Sequence, residues 1–211
     1  MNEPEPLLRA DAERNRQRLL DAARELFADR GLDVTLDDIA RHAGVGTGTA
    51  YRRFPNKDAV IEALMVDRLH ELAAIAQECL EEPDPWLGIS GYFERALAMQ
   101  AGDRGLKEVL FSARGREGIT KARSALAPLV GQLVKRAVDA GVVRPDMATT
   151  DVPVLNFILN TAIDLGRDVE PELYRRYLAI VLDGLRHPGE PLPVPALAVG
   201  RFGEAVAKWR R

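Results

Sequence analysis

Apolar residues recur along this chain at intervals of three and four, and no stretch alternates with a period of two. That regularity leaves little room for strands and predicts an all-α fold. Leu19, Leu20, Ala23, Leu26 and Phe27 keep helical spacing, so Arg14 to Asp29 reads as an amphipathic helix stopped by Gly31. Thr35 with Asp38 three residues on is a variant of the helix-start signal, opening a short helix through Ile39, Ala40 and Ala43 that Gly44 ends. A second short helix is predicted from Thr47 to Phe54, halted by Pro55. Asn56 can cap the longest one, Lys57 to Leu80, whose stripe is Ile61, Leu64, Met65, Leu69, Leu72, Ile75, Ala76 and Leu80. Such a rod is on the order of 35 Å long, enough to join two domains. Pro83, Asp84 and Pro85 break it, with Asp84 as the next cap.

Further helices are predicted at Trp86–Gln100, Leu106–Ala113, Leu126–Ala140, Asp151–Asp164 and Glu172–Leu185, with Pro128 tolerated in the first turn of its helix. Between His187 and Pro195 stand four prolines and a glycine, an extended segment; Ala196 to Arg211 either adds a short helix or frays. The expected organisation is a flexible segment at 1–13 and a three-helix unit at 14–56. A larger helical domain at 57–187 and a Pro-rich tail at 188–211 complete it.

With 211 residues, 46% of them apolar, the chain can bury a core as one domain or two small ones. Its apolar runs fall far short of the roughly 20 residues a membrane span needs. The first ten residues lack the cationic start and apolar run of a secretory leader. One cysteine, Cys79, permits no internal disulfide, which fits a reducing cytoplasm. The net charge of −3 argues against a protein that coats nucleic acid indiscriminately. Locally the balance reverses: Ile39 to Lys57 holds Arg41, Arg52, Arg53 and Lys57 without an Asp or Glu, directly after Asp33, Asp37 and Asp38. This switch marks either a small cationic face or an ordinary solvated surface.

Three short helices in a row, with Ala40-Arg-His-Ala-Gly44-Val45 between the second and third, follow helix-turn-helix logic. Ala40 is small where two helices cross, and Gly44 sits where the turn favours a positive φ. Val45 and Ala50 face back toward Ile39, which leaves Thr47, Gly48, Thr49, Tyr51, Arg52 and Arg53 outward on the third helix. Small and hydroxyl residues at its start allow close approach to a DNA backbone, while tyrosine and arginine supply reach.

The stretches Leu19 to Gly31, Thr35 to Val45 and Gly48 to Asp58 together resemble the DNA-binding domain of the tetracycline-repressor (TetR) family, over about Arg14 to Leu64. Ala140-Gly-Val-Val-Arg-Pro-Asp146 is similar to a segment that follows a helix in many members. The resemblance implies a bacterial, cytoplasmic, non-enzymatic transcription regulator, most readily a repressor. It implies phosphate contacts from Thr35, Thr49, Tyr51 and Lys57, base approach by Thr47 and Gly48, and base reading by Arg52, since arginine can bind guanine O6 and N7 together. Arg53 is a further candidate for base contact, with a solvated surface role as its rival; Tyr51 has interhelical packing as its own. His42 and Phe54 read as surface and core. Gly46 departs from the serine common at that helix start, which implies a looser start rather than lost binding.

Members of that family bind double-stranded DNA at a palindromic operator as homodimers and release it when a small molecule binds the second domain. The expected dimer surfaces are Val152, Leu155, Leu159 and Ile163 on one helix, about 151–164, and Leu173, Tyr177, Ile180, Val181 and Gly184 on the other, about 172–185. Candidate contacts for an unknown, hydrophobic effector are Trp86, Tyr92, Phe93, Leu97 and Phe111, although the same stripe suits a helix core. Asn156 and Asn160, four apart beside an apolar stripe, fit either a ligand or the fixing of dimer register. No cofactor or metal is expected: the one Cys and His42, His70 and His187 have neither metal-ligand nor triad spacing, and no glycine-rich loop follows a strand. Rival classes are a helical module that binds protein partners, and a regulator that activates or senses no ligand.

Overall fold

A computed structural model of the chain describes residues 5–102, 117–186 and 189–198, together with 201, 204, 205 and 208. Among the described residues it holds α1 (Glu5–Arg30), α2 (Leu36–Ala43), α3 (Thr47–Arg53), α4 (Lys57–Glu81), α5 (Pro85–Ala101), α6 (Glu117–Asp139), α7 (Asp151–Gly166) and α8 (Leu173–Arg186), and no strand. No described helix is long and apolar enough to cross a membrane. The predicted helix Leu106–Ala113 lies outside the described residues.

The described residues form two compact units: 5–68 with 117–120, and 69–102 with 121 onward. Helix α4 runs through the boundary after Arg68, and α6 through the one after Thr120. In the first unit α1 packs on α2 and α3. Its core is built by Leu19, Leu20, Ala23 and Phe27 of α1, Ile39 and Ala40 of α2, Ala50 of α3, and Val60, Leu64 and Met65 of α4. Burying each larger aliphatic or aromatic side chain among them contributes about 1.5–3 kcal/mol.

In the second unit α5 packs on α7 and α8, which also pack on each other. Phe93, Leu97, Leu133 and Leu159 lie at its centre, and Tyr92 meets Phe93 edge to face at 6.4 Å. Gly88 is required where α5 approaches α4, because a Cβ there would stand 2.8 Å from the Cys79 carbonyl. Arg136 of α6 donates to the carbonyl of Leu80 (2.9 Å), left open in the last turn of α4, and to that of Pro83 (2.6 Å) in the loop beyond.

Three expectations require correction. The first helix starts well before the predicted Arg14, since α1 begins at Glu5. Pro6 falls in the first turn, where its missing N–H is no loss, and Leu, Ala, Glu and Arg continue the helix without a breaker. Helix α6 starts at Glu117 rather than Leu126, so Pro128 is interior to it. Proline there removes the bond to the Ser124 carbonyl, but both residues are exposed, so water can satisfy that oxygen. Finally, Val152, Leu159 and Ile163 of α7 face their own unit's core instead of lying free for a partner. They are drawn inward because they meet α5 and α8; a different stripe of α7 remains outside.

Candidate nucleic-acid interface

Helix α2 is fixed at both ends by local chemistry. Thr35 Oγ1 accepts from the Asp38 N–H at 3.1 Å, while the Asp38 carboxylate accepts from the Thr35 N–H at 3.0 Å and from its hydroxyl at 2.6 Å. These bonds hold the Asp38 carboxyl below the usual carboxylate range, with the Thr35 hydroxyl as the leading cause. At the other end Gly44 takes φ +61°, and its N–H and that of Val45 return to the last carbonyls of α2. A left-handed residue is what turns the chain into α3, and glycine adopts it without the Cβ conflict.

Helix α3 is seated by Ala50, wholly buried, with Phe54 buried just beyond its end. Thr47, Gly48, Tyr51, Arg52 and Arg53 are exposed and Thr49 is half-exposed, so one face of this seven-residue helix is apolar and anchored while the other is polar and open. Tyr51, at 49% exposure, does not serve as core packing. Gly46 precedes the helix without a side-chain cap, and a Cβ there would meet nothing within 4 Å.

The remaining predicted contacts are tied to particular partners. Arg52 Nη2 donates to Thr49 Oγ1 at 3.0 Å, one turn back on the same helix. Arg53 Nη2 donates to Glu13 of α1 at 2.9 Å. The Lys57 ammonium donates to the Leu32 carbonyl, which leaves further N–H donors on that nitrogen. The Thr35 hydroxyl is engaged in its cap, so a phosphate contact there would have to displace Asp38. His42 is a surface residue whose Nε2 lies 2.6 Å from Glu25 of α1.

In the second unit three of the candidate effector contacts are core members: Tyr92, Phe93 and Leu97 are buried, and burial pushes the Tyr92 hydroxyl above its ordinary pKa. Trp86 is half-buried with the Arg186 guanidinium 4.8 Å from its ring centroid. Phe111 lies outside the described residues. Asn160 donates to the Gln100 side-chain oxygen and to the Asn156 carbonyl at 2.8 Å, so its amide is engaged with α5 inside the unit. Asn156 Oδ1 is buried without a hydrogen-bond partner.

Sequence reasoning missed Glu13, Gln100 and the Arg144–Asp146 pair. Glu13 lay in a stretch read as flexible. Arg144 pairs with Asp146, and each binds the extended tail: Arg144 donates to the Glu190 carbonyl at 3.0 Å, and the Leu192 N–H donates to Asp146 at 2.9 Å. Arg144 and the Leu192 amide together lower the Asp146 pKa to about 2.

Residues 19–64 match the family described as "Bacterial regulatory proteins, tetR family", and residues 84–187 match "Transcriptional regulator SbtR-like, C-terminal domain". The HTH-type regulator SrpR of Pseudomonas putida is 48% identical over 64 residues, 30% of this chain and 30% of SrpR. The HTH-type regulator TtgW of the same species is 47% identical over 64 residues, 48% of its own length, so these curated relatives are matched over less than half of their length. A TetR regulatory protein of known structure from Mycobacterium vanbaalenii is 32% identical, with a TM-score of 0.61 over 85% of this chain and 99% of that one. A TetR regulator from Streptomyces coelicolor is 30% identical, again with a TM-score of 0.61, over 82% of this chain and 99% of that one. The capped α2, the left-handed turn at Gly44 and the anchored, open α3 are the helix-turn-helix of such a regulator. The chain belongs to the TetR family: it is a DNA-binding transcriptional regulator and not an enzyme.

Proposed function

We propose that this regulator is a cytoplasmic repressor that binds a palindromic operator as a homodimer and leaves it when a small, largely apolar molecule occupies the helical domain. The observation that carries the DNA reading is the open face of α3, where Thr47, Gly48, Tyr51, Arg52 and Arg53 stand clear of the anchored Ala50 and Phe54. On this reading Arg52 reads a base edge, Thr47 and Gly48 approach bases, and Thr35, Thr49, Tyr51, Arg53 and Lys57 contact phosphates.

An exposed apolar face on two packed helices supports the dimer. Ile158 (54% exposed) and Leu165 (72%) stand out from α7, and Tyr177 (43%) and Ile180 (58%) from α8. Val154 and Thr161 complete the first stripe; Leu173 and Gly184 lie at helical spacing along the second. Pairing with the same face of a second copy makes a four-helix interface, and two recognition helices then meet half-sites about one DNA turn apart. The buried, unpartnered Asn156 Oδ1 of α7 supports an effector that brings a hydrogen-bond donor to this helix. Such a ligand acts by binding the DNA-free arrangement of the dimer more tightly than the DNA-bound one.

Selection of bound sequences from a random double-stranded library, at two salt concentrations and with Arg52→Ala alongside, tests this. The expected result is a palindrome, steep weakening with salt, and relaxed preference at one base position in Arg52→Ala at a cost of about 1–3 kcal/mol. A chain that enriches no sequence and binds no duplex even at low salt overturns the reading.

A further inference from the structure

Both arginines at the end of α3 are exposed, but they are held differently. Arg52 leans on a neutral hydroxyl, whereas Arg53 Nη2 is 2.9 Å from a carboxylate oxygen of Glu13. Glu13 is itself steadied: Arg16 Nη1 lies 3.4 Å from its other oxygen, and Arg16 Nη2 lies 3.2 Å from Asp67 of α4. The Arg16–Asp67 pair is partly buried, with side-chain exposures of 24% and 27%, so it forms an anchor within the first unit. Glu13 at 60% and Arg53 at 37% are more open to solvent. The row therefore runs Asp67, Arg16, Glu13, Arg53, from a fixed end to an open one, and its acidic third member stands on the charge that a phosphate would otherwise take.

We propose that Glu13 is a positioning residue that restrains Arg53 from non-specific phosphate contact, acting as an intramolecular competitor for the DNA backbone. The inference rests on the reading of α3 as the DNA-contacting helix. For Arg53 to bind a phosphate in the native chain, the phosphate must replace a carboxylate already in hydrogen-bond reach. The displaced carboxylate then remains beside the phosphate and repels it. The exchange gives little net gain on a sequence that offers nothing else, so weak, charge-driven binding along arbitrary DNA is held down. With glutamine at position 13 the shape is kept and the charge is gone, so Arg53 neutralises one more phosphate.

Counterion release makes this measurable without knowing the operator. Each phosphate neutralised on duplex DNA steepens the dependence of log affinity on log salt by about 0.9. Native protein, Glu13→Gln, Arg53→Ala and the double variant are titrated with a duplex of random sequence across a range of salt. Glu13→Gln is expected to bind about two- to fivefold tighter at moderate salt, the range that an exposed charge pair sustains, with a slope steeper by about one contact. In the Arg53→Ala background the same change is expected to leave affinity and slope nearly unmoved. Equal slopes for native protein and Glu13→Gln overturn the inference. An equal gain with and without Arg53 overturns it too, because Glu13 would then act only as one negative charge among many. If the native chain binds no duplex at any salt, the DNA-contact reading of α3 fails and this inference with it; intact binding with an unchanged slope sinks the inference alone.

Discussion

Replacing Gly44 by alanine tests whether the left-handed turn between α2 and α3 holds the recognition helix. At φ +61° an L-residue places its Cβ against its own following backbone, at a cost of about 1–2 kcal/mol. Alanine also restricts the unfolded chain, which offsets about 0.4–1 kcal/mol of that. Space adds little, because the nearest atom to the new Cβ is Arg18 Nη2 at 3.0 Å, the far end of a flexible side chain. The net expectation is a loss of about 1 kcal/mol, or about 2–4 °C in Tm for a chain of this size. Gly48→Ala is the matched control four residues on: it lies within α3 with no positive φ and its Cβ site is empty, so stability should hold or rise by about 0.5–1 kcal/mol. Urea and thermal unfolding of both variants, followed by circular dichroism, read the difference. Equal stability in the two variants would refute the reasoning, since it would mean that the turn at Gly44 is not conformationally demanding.

Two further outcomes are expected from the second unit. Ile158→Asp puts a charge in the middle of the exposed stripe without touching the core, so sedimentation should show a shift from dimer to monomer with helicity intact; a native dimer unaffected by the change would mean that another surface pairs. Asp146 has a folded pKa of about 2 against an ordinary value of 3.8, so its bond to the tail is present above about pH 4 and is lost as pH falls toward 2. Asp146→Ala should therefore strip the Leu192 amide of its protection at neutral pH, its exchange approaching the rate of an unbonded amide at the same pH, and an amide still protected in the variant would show that the tail is held elsewhere.

The first unit was largely legible because its signals are local. A threonine three residues before an aspartate, a glycine at a turn and an alanine at a crossing each act through neighbours within one helical turn, so spacing alone reported the caps of α2 and the burial of Ala40, Val45 and Ala50. Glu13 was not legible for the opposite reason. Its partner Arg53 lies 40 residues away, and only the packing of α3 on α1 brings them together. The start of α1 was hidden differently: Glu5 to Arg14 forms a helix from intrinsic propensity, without the apolar stripe that betrays one.

Helix α7 shows where periodicity stops informing. It carries one apolar stripe through Val152, Leu159 and Ile163 and another through Val154, Ile158 and Leu165, and a sequence assigns neither to the inside. The choice is made by α5 and α8, which bury the first stripe and leave Ile158 and Leu165 open to solvent. A surface helix needs only one apolar stripe to fold onto its neighbours. The second is therefore not required by the monomer's own core, and an exposed apolar face of this kind is costly to keep in water unless something covers it. Tyr177 and Ile180 of α8 continue that face, and a self-complementary surface is what a two-fold axis demands. The stripe named on α7 thus belongs largely to the core, while of the stripe named on α8 Tyr177 and Ile180 stand open and Val181 packs inward, because α7 has to choose between two apolar faces.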